Sequence, residues 1–181
     1  HGNQPMVDEL LKLTLVFNGT IYNYKSLRSQ LIGKGYSFFS HSDTEVIIKA
    51  YHYCGEDCVK YLDGMFAFCV WDKSNEKLFI ARDRIGIKPL YYNLSNKAFT
   101  FASNSQALLT QELDKSINPL ALQQQLSLHG VVPAPNTIIN GIQKVKPATV
   151  ITINAKGLLK EKTYWYPSAS RSERNLSDED Y

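Results

Sequence analysis

Val16-Phe17-Asn18-Gly19-Thr20-Ile21-Tyr22-Asn23 is the stretch on which the reading of this chain turns. An apolar run, Leu13 to Phe17, meets an Asn-Gly pair and resumes at Ile21. That order predicts a strand, a tight turn and another extended piece, because Asn-Gly is favoured where both central residues of a hairpin turn need positive φ. The same pair also offers a carboxamide side chain and a backbone N–H with no side chain beside it. Those are two neutral donors at one spot, which is what an oxyanion hole for acyl transfer requires.

The flanks supply more elements. Gly2 to Pro5 reads as irregular and Leu10 to Phe17 as the first strand. Asn23 is placed to cap a helix through Ile32, with Leu27 and Leu31 on one face and Gly33 and Gly35 at its end. Tyr36 to Phe39 reads as a short strand. Ser42-Asp43-Thr44-Glu45 matches a capping box, with Ser42 as N-cap and Glu45 reaching back. The helix it opens sets Val46, Ile47, Ala50, Tyr51 and Cys54 at helical spacing and stops at Gly55. Asp43 falls in its first turn, where a carboxylate complements the helix dipole without any ligand.

Met65 to Asp72 is apolar on both faces, as in a central strand covered on both sides. Lys77 to Arg82 returns beside it. Tyr91-Tyr92 and Phe99 to Ala102 form a hairpin around Asn96-Lys97, and Ser103 to Leu109 a short helix. Asn118-Pro119 opens a further helix whose expected buried stripe is Leu122 and Leu126. Thr149 to Asn154 and Leu158 to Tyr164 make a late hairpin. Many antiparallel strands with a few helices between them indicate an α+β fold. After Tyr166 the composition turns to Ser, Arg, Glu and Asp, so residues 167–181 read as a linker.

A chain of 181 residues with 44% hydrophobic content suits one domain, or one domain and a piece of the next. The net charge of +3 is small and scattered, which implies no nucleic acid. No apolar run is long enough for a membrane span, and no stretch of these residues reads as a signal peptide. Cys54, Cys58 and Cys69 are an odd, sparse set that points to buried thiols in the reducing cytoplasm and not to disulfides or a metal. The chain starts at His1 and enters motif-bearing sequence at once, as a fragment of a longer protein does.

Four motifs in order carry a resemblance. Phe17-Asn18-Gly19-Thr20-Ile21-Tyr22-Asn23, Ser42-Asp43-Thr44-Glu45, Gly64-Met65-Phe66-Ala67-Phe68 and Arg82-Asp83-Arg84-Ile85-Gly86-Ile87-Lys88-Pro89-Leu90-Tyr91-Tyr92 resemble the glutaminase domain of glutamine-hydrolysing asparagine synthetases, class II amidotransferases with an N-terminal nucleophile. The resemblance runs from Gly2 to about Tyr166. It implies the four-layer αββα sandwich of N-terminal-nucleophile (Ntn) hydrolases, with two antiparallel sheets and an N-terminal part outside this chain. It also implies an oxyanion hole at Asn18 and Gly19, glutamine binding by Asn18, Gly19, Thr20 and Asp43, and no metal.

The nucleophilic Cys and a clamping Arg of that family lie upstream of Gly2, so this chain alone is expected to be inactive. The domain needs no cofactor; ATP and Mg²⁺ belong to a synthetase domain beyond the linker. Expected partners are glutamine, that covalently linked domain and, as one option, a second copy in a homodimer. Two departures stand out: Thr20 replaces the usual Glu, and Asn104 replaces a Glu of the family. They keep open a non-catalytic module of the same fold, or an amidotransferase with another acceptor. Arg82, Asp83, Arg84 and Lys88 read as a solvated, non-catalytic loop with internal ion pairs.

Overall fold

The Asn-Gly pair is not a turn. In the computed structural model, which describes residues 3–95, 98–110 and 112–168, it lies inside a continuous strand. A short β1 (Met6–Asp8) pairs with β2 (Leu13–Ile21), and β2 pairs along its whole length with β3 (Gly64–Asp72), Asn18 opposite Ala67 and Gly19 opposite Phe66. With β4 (Lys77–Arg82), β8 (Thr149–Asn154) and β9 (Leu159–Thr163) these form an antiparallel sheet of order β1-β2-β3-β4-β8-β9. A second antiparallel sheet has the order β6-β5-β7, from β5 (Tyr91–Leu94), β6 (Phe99–Ala102) and the two-residue β7 (Gln143–Lys144).

Strand alternation explains why β3 is apolar on both faces. Phe66, Phe68 and Val70 join the core under α1 (Tyr24–Gly33) and α2 (Asp43–Cys54), together with Leu15, Val46 and Phe79. Ala67 and Cys69 face the other way, into a core shared with Leu90 and with Tyr92 of the second sheet. Each aliphatic or aromatic side chain fully buried this way contributes about 1.5–3 kcal/mol relative to an exposed one. The short α3 (Ser105–Leu108) lies against β5 and β6, giving the helix–sheet–sheet–helix order of an αββα sandwich.

Several local expectations change. The strand expected from Leu10 begins at Leu13 and is the second, because β1 precedes it and Glu9 to Lys12 form the turn between them. Tyr36–Phe39 is not a strand: the backbone N–H of Phe39 goes to Glu45 and no β partner is recorded. Asn23 sits at the N-cap of α1 but does not cap it; its carboxamide bridges the Tyr61 carbonyl and the Asp63 N–H instead. Ser42 does cap α2 by accepting from Glu45 N–H, whereas the Glu45 carboxylate takes Phe39 N–H, Ser40 N–H and the Ser40 hydroxyl. Half of the capping box therefore forms.

α4 (Pro119–Ser127) has the predicted Asn118 cap, but its stripe is not buried: Leu122 is 42% and Leu126 79% exposed, and only Ala121 is enclosed. The hairpin of β5 and β6 forms, and its Asn96-Lys97 turn lies outside the described residues, as do residues 169–181 of the stretch expected to be a linker.

Candidate functional site

Backbone alternation along β2 sets the geometry. Tyr22 donates its N–H to Asp63 O, on the β3 side, whereas Ile21 donates its N–H to Asp43 Oδ2 at 3.0 Å, on the opposite side. Phe17, four residues earlier and of the same parity, likewise turns its N–H away from β3, to the Gln4 side chain. Gly19 lies between them, so its N–H points to that same free edge. Among the described residues it meets no acceptor there.

The glycine is required. Gly19 has φ 153°, and a Cβ at this position would lie 2.1 Å from Met65 O. Across the pair, a Cβ on Gly64 would lie 2.2 Å from Thr20 O. β2 and β3 therefore approach where neither strand can carry a side chain. An N–H on Gly19 is left uncovered by any side chain of its own.

Asn18 and Thr20 have the opposite parity and are both exposed. Neither side chain hydrogen-bonds to a described residue. Asn18 lines a pocket of about 210 Å³ between the two sheets, with Gln4, Val16, Ala67, Cys69 and Leu90. Gly19, Thr20 and Asp43 are not among its lining residues. What Asn18-Gly19 and Asp43 share is the end of β2.

Buried Glu45, Lys49 and Asp8 anchor the start of α2, the turn that carries Asp43. The Glu45 carboxylate fixes the preceding loop through Phe39 N–H (2.9 Å), Ser40 N–H (2.7 Å) and Ser40 Oγ (2.7 Å), and Ser40 in turn meets the Ser42 hydroxyl at 2.9 Å. Lys49 bonds Asp8 on β1 at 2.5 Å and stands 4.0 Å from Glu45. These side chains tie the start of α2 to the edge of the large sheet. Asp43 Oδ2 accepts one hydrogen bond and its other oxygen accepts none from a described residue.

The charged loop is different in kind. Asp83 is 1% exposed and accepts the N–H groups of Phe66, Ile85, Gly86, Ile87 and Lys88. Buried Arg82 donates to the carbonyls of Gly86, Lys88 and Val145. The expectation of a solvated loop with internal ion pairs fails here, because both charges are spent on backbone groups.

No cysteine of this chain is a ready nucleophile. Burial pushes the thiols of Cys54, Cys58 and Cys69 upward, and the Asp57 carboxylate adds to the effect at Cys54. A thiol so placed stays protonated and unreactive. Among the described residues no three His, Cys, Asp or Glu side chains gather into a metal-holding group, and no helix is long and apolar enough to cross a membrane. Sequence reasoning passed over Gln4, whose contact with Phe17 has no local pattern to announce it.

Residues 1–165 match the glutamine amidotransferase domain family. The chain is 42% identical over 165 residues to asparagine synthetase [glutamine-hydrolyzing] 1 of Bacillus subtilis, covering 91% of this chain and 26% of that protein. It is 30% identical over 181 residues to amidase chry2 of Gibberella zeae, again 26% of that protein. The chain thus spans about a quarter of the length of these relatives. Among solved structures, the glutamine phosphoribosylpyrophosphate amidotransferase of B. subtilis superposes with a TM-score of 0.63 at 21% identity, over 91% of this chain and 32% of that one, which shows a common fold. On the strength of the family match along nearly its whole length, the chain belongs to the glutamine amidotransferase domain family.

Proposed function

We propose that this chain is the glutaminase half of an asparagine synthetase-type amidotransferase. The observation that carries the reading is the edge of β2, where the open Gly19 N–H and the Asp43-bound Ile21 N–H face the same way two residues apart. Two residues of strand span about 6.6 Å. Glutamine extends about 5 Å from its amide carbon to its α-nitrogen. With a hydrogen bond at each end, one substrate bridges the two groups. Its carboxamide oxygen accepts from Gly19 N–H and the Asn18 side-chain NH₂, and its ammonium donates to the spare oxygen of Asp43.

The attacking thiol is an N-terminal cysteine of the parent protein, with its own α-amine as base; an α-amine titrates near pH 8 and can take that proton close to neutrality. Sulfur adds to the amide carbon, and the charge that moves to oxygen meets the Asn18 and Gly19 donors. The ammonium so formed returns its proton to the leaving nitrogen. Ammonia departs, a thioester remains, and water hydrolyses it to glutamate. In the intact cytoplasmic parent, residues 167–181 lead to the synthetase part, which uses ATP and Mg²⁺ to amidate aspartate.

The likeness to the B. subtilis synthetase supports aspartate as acceptor. A second reading, another acceptor, is favoured by the likeness to a protein named an amidase. Assaying the full-length parent with glutamine, ATP and aspartate separates the two. The glutaminase reading itself is tested by Asn18→Ala in that parent. Loss of one oxyanion donor lowers kcat by about 10²–10³-fold. A wild-type parent that releases no ammonia from glutamine leaves the non-catalytic module standing.

A further inference from the structure

Gln4 makes the contact that the proposed chemistry does not yet use. β1 pairs Met6 with Leu15, so by the same register the next rung, toward the start of β1, falls between position 4 and Phe17. The main chain does not form that rung. The Gln4 side chain does: Nε2–H donates to Phe17 O at 2.7 Å, and Phe17 N–H donates to Oε1 at 2.6 Å. A primary carboxamide carries a donor and an acceptor side by side in one plane, as a strand's backbone does. The orientation of the amide is settled by this pairing, since the flipped form would set NH₂ against N–H and oxygen against oxygen.

Two consequences follow for the edge of β2. Phe17 C=O belongs to the peptide that enters Asn18, so holding it fixes the plane from which the Asn18 side chain projects. Backbone pairing on this edge ends at Leu15, and the Gln4 side chain at Phe17 forms the last rung before Gly19. Leu13 and Leu15 face Asp8 and Met6, Phe17 is taken by Gln4, and Ile21 is taken by Asp43. Gly19 alone of this same-side row keeps its N–H open among the described residues. Gln4 also lines the inter-sheet pocket with Asn18.

We propose that Gln4 is a positioning residue of the oxyanion hole, its carboxamide serving as a one-residue strand that orients Asn18 and stops pairing short of Gly19. The proposal rests on the glutaminase reading given above. Gln4 touches no reacting atom; it acts through Phe17. Donors placed about 1 Å off the developing oxyanion cost up to about 10²-fold in rate, while the amino-group contact at Asp43 lies beyond the other end of the hole and is unaffected.

The test uses the full-length parent carrying Gln4→Met, which keeps the side chain's length and loses both bonds. Its kcat for ammonia release from glutamine is expected to fall about 10–100-fold with KM within about twofold of wild type. Calorimetric binding of L-glutamate counts the competent sites, and is expected to show unchanged stoichiometry and affinity. That separates slowed chemistry from a smaller folded fraction. An unchanged kcat per glutamate site overturns the proposal, as does loss of glutamate binding in a protein that still melts normally, which would place Gln4 in ground-state binding. If Gln4→Met does not fold, Gln4→Glu serves: the same size, it keeps an acceptor for Phe17 N–H and sets a second acceptor against Phe17 O. It is expected to lose rate in the same way, and full activity in it overturns the proposal. A wild-type parent inert toward glutamine overturns the underlying reading instead, and is seen before any variant is made.

Discussion

Asp43 and Asp83 each stand second in their motif, and the fold treats them in opposite ways. Asp83 is enclosed and accepts five backbone N–H groups, which leaves its carboxylate no capacity for a ligand. Asp43 is half-buried, accepts one backbone N–H and keeps an oxygen free at the end of β2. A saturated carboxylate organises a loop; an unsaturated one on a rigid support is available for recognition. The difference lies in the donors around each group and not in the charge itself.

The sharpest way to break this contrast is to remove each carboxylate. Asp83→Ala removes the acceptor of five N–H donors at once, that of Phe66 buried and the other four part-buried, and is expected to cost about 4 kcal/mol. Asp43→Ala removes one bond at a half-exposed site and is expected to cost about 1 kcal/mol or less. Urea unfolding of the two variants measures both, and equal losses would abolish the distinction.

Lys49→Met comes next in size. It leaves Asp8 and Glu45 as buried carboxylates without their cation, at about 3 kcal/mol near neutral pH. Acid should shrink that gap. In the wild type, burial pushes the Asp8 carboxyl up, but the Lys49 bond and the Leu11 N–H outweigh it and hold the group below its ordinary value. A depressed folded value means the stabilisation is present above the unfolded value of about 3.9 and is lost as pH falls through the lower folded value. Without Lys49, burial dominates, so protonation relieves the variant while it weakens the wild type. Thermal melts of both proteins from neutral pH downward should converge; parallel curves would show that Asp8 is not held by Lys49.

Within the proposed site, Asp43→Asn in the full-length parent should raise the glutamine KM by about tenfold, because a charge-assisted contact to the ammonium becomes a neutral one. Its melting point should stay close to wild type. An unchanged KM would return Asp43 to a helix-dipole role alone.

How far the sequence led can be judged from single residues. The strand around Phe66 to Val70 was legible as a short continuous apolar run ending at a polar turn, and the helix of Val46 and Ile47 from its 3.6-residue spacing behind a cap. Asn18-Gly19 misled because a turn and a close strand–strand approach both demand glycine. Only the position of Met65 O tells them apart. Leu122 and Leu126 have the spacing of a buried stripe, yet spacing cannot say whether the chain supplies the covering surface. Arg82 and Asp83 looked solvated because charge is visible in sequence and a backbone partner is not. The pairing of Gln4 with Phe17 and of Ile21 with Asp43 joins residues 13 and 22 positions apart, beyond any local pattern. The Asn18-Gly19 and Asp43 motifs could be named from the sequence; the free edge that aligns Gly19 with Asp43 required the register of β2.

The smallest expected effect falls on Thr20, two residues from Asn18 along β2 and therefore on the same face of the sheet. Thr20 is exposed and its hydroxyl bonds no described residue, so a longer side chain can enter the space beside the hole without displacing a partner. Thr20→Glu would give the substrate ammonium a second carboxylate alongside Asp43. At an exposed position such a pair is screened and costs side-chain entropy, so a gain of about 0.5–1 kcal/mol is expected and no more. In the full-length parent this reads as a glutamine KM lowered by about two- to fivefold, with kcat unchanged, because the contact is the same in ground and transition states. The gain should shrink as salt is raised. A KM that stays level, or rises, would mean that the α-amino end of the ligand does not reach the Thr20 side of β2, and that Asp43 receives it from the strand edge alone.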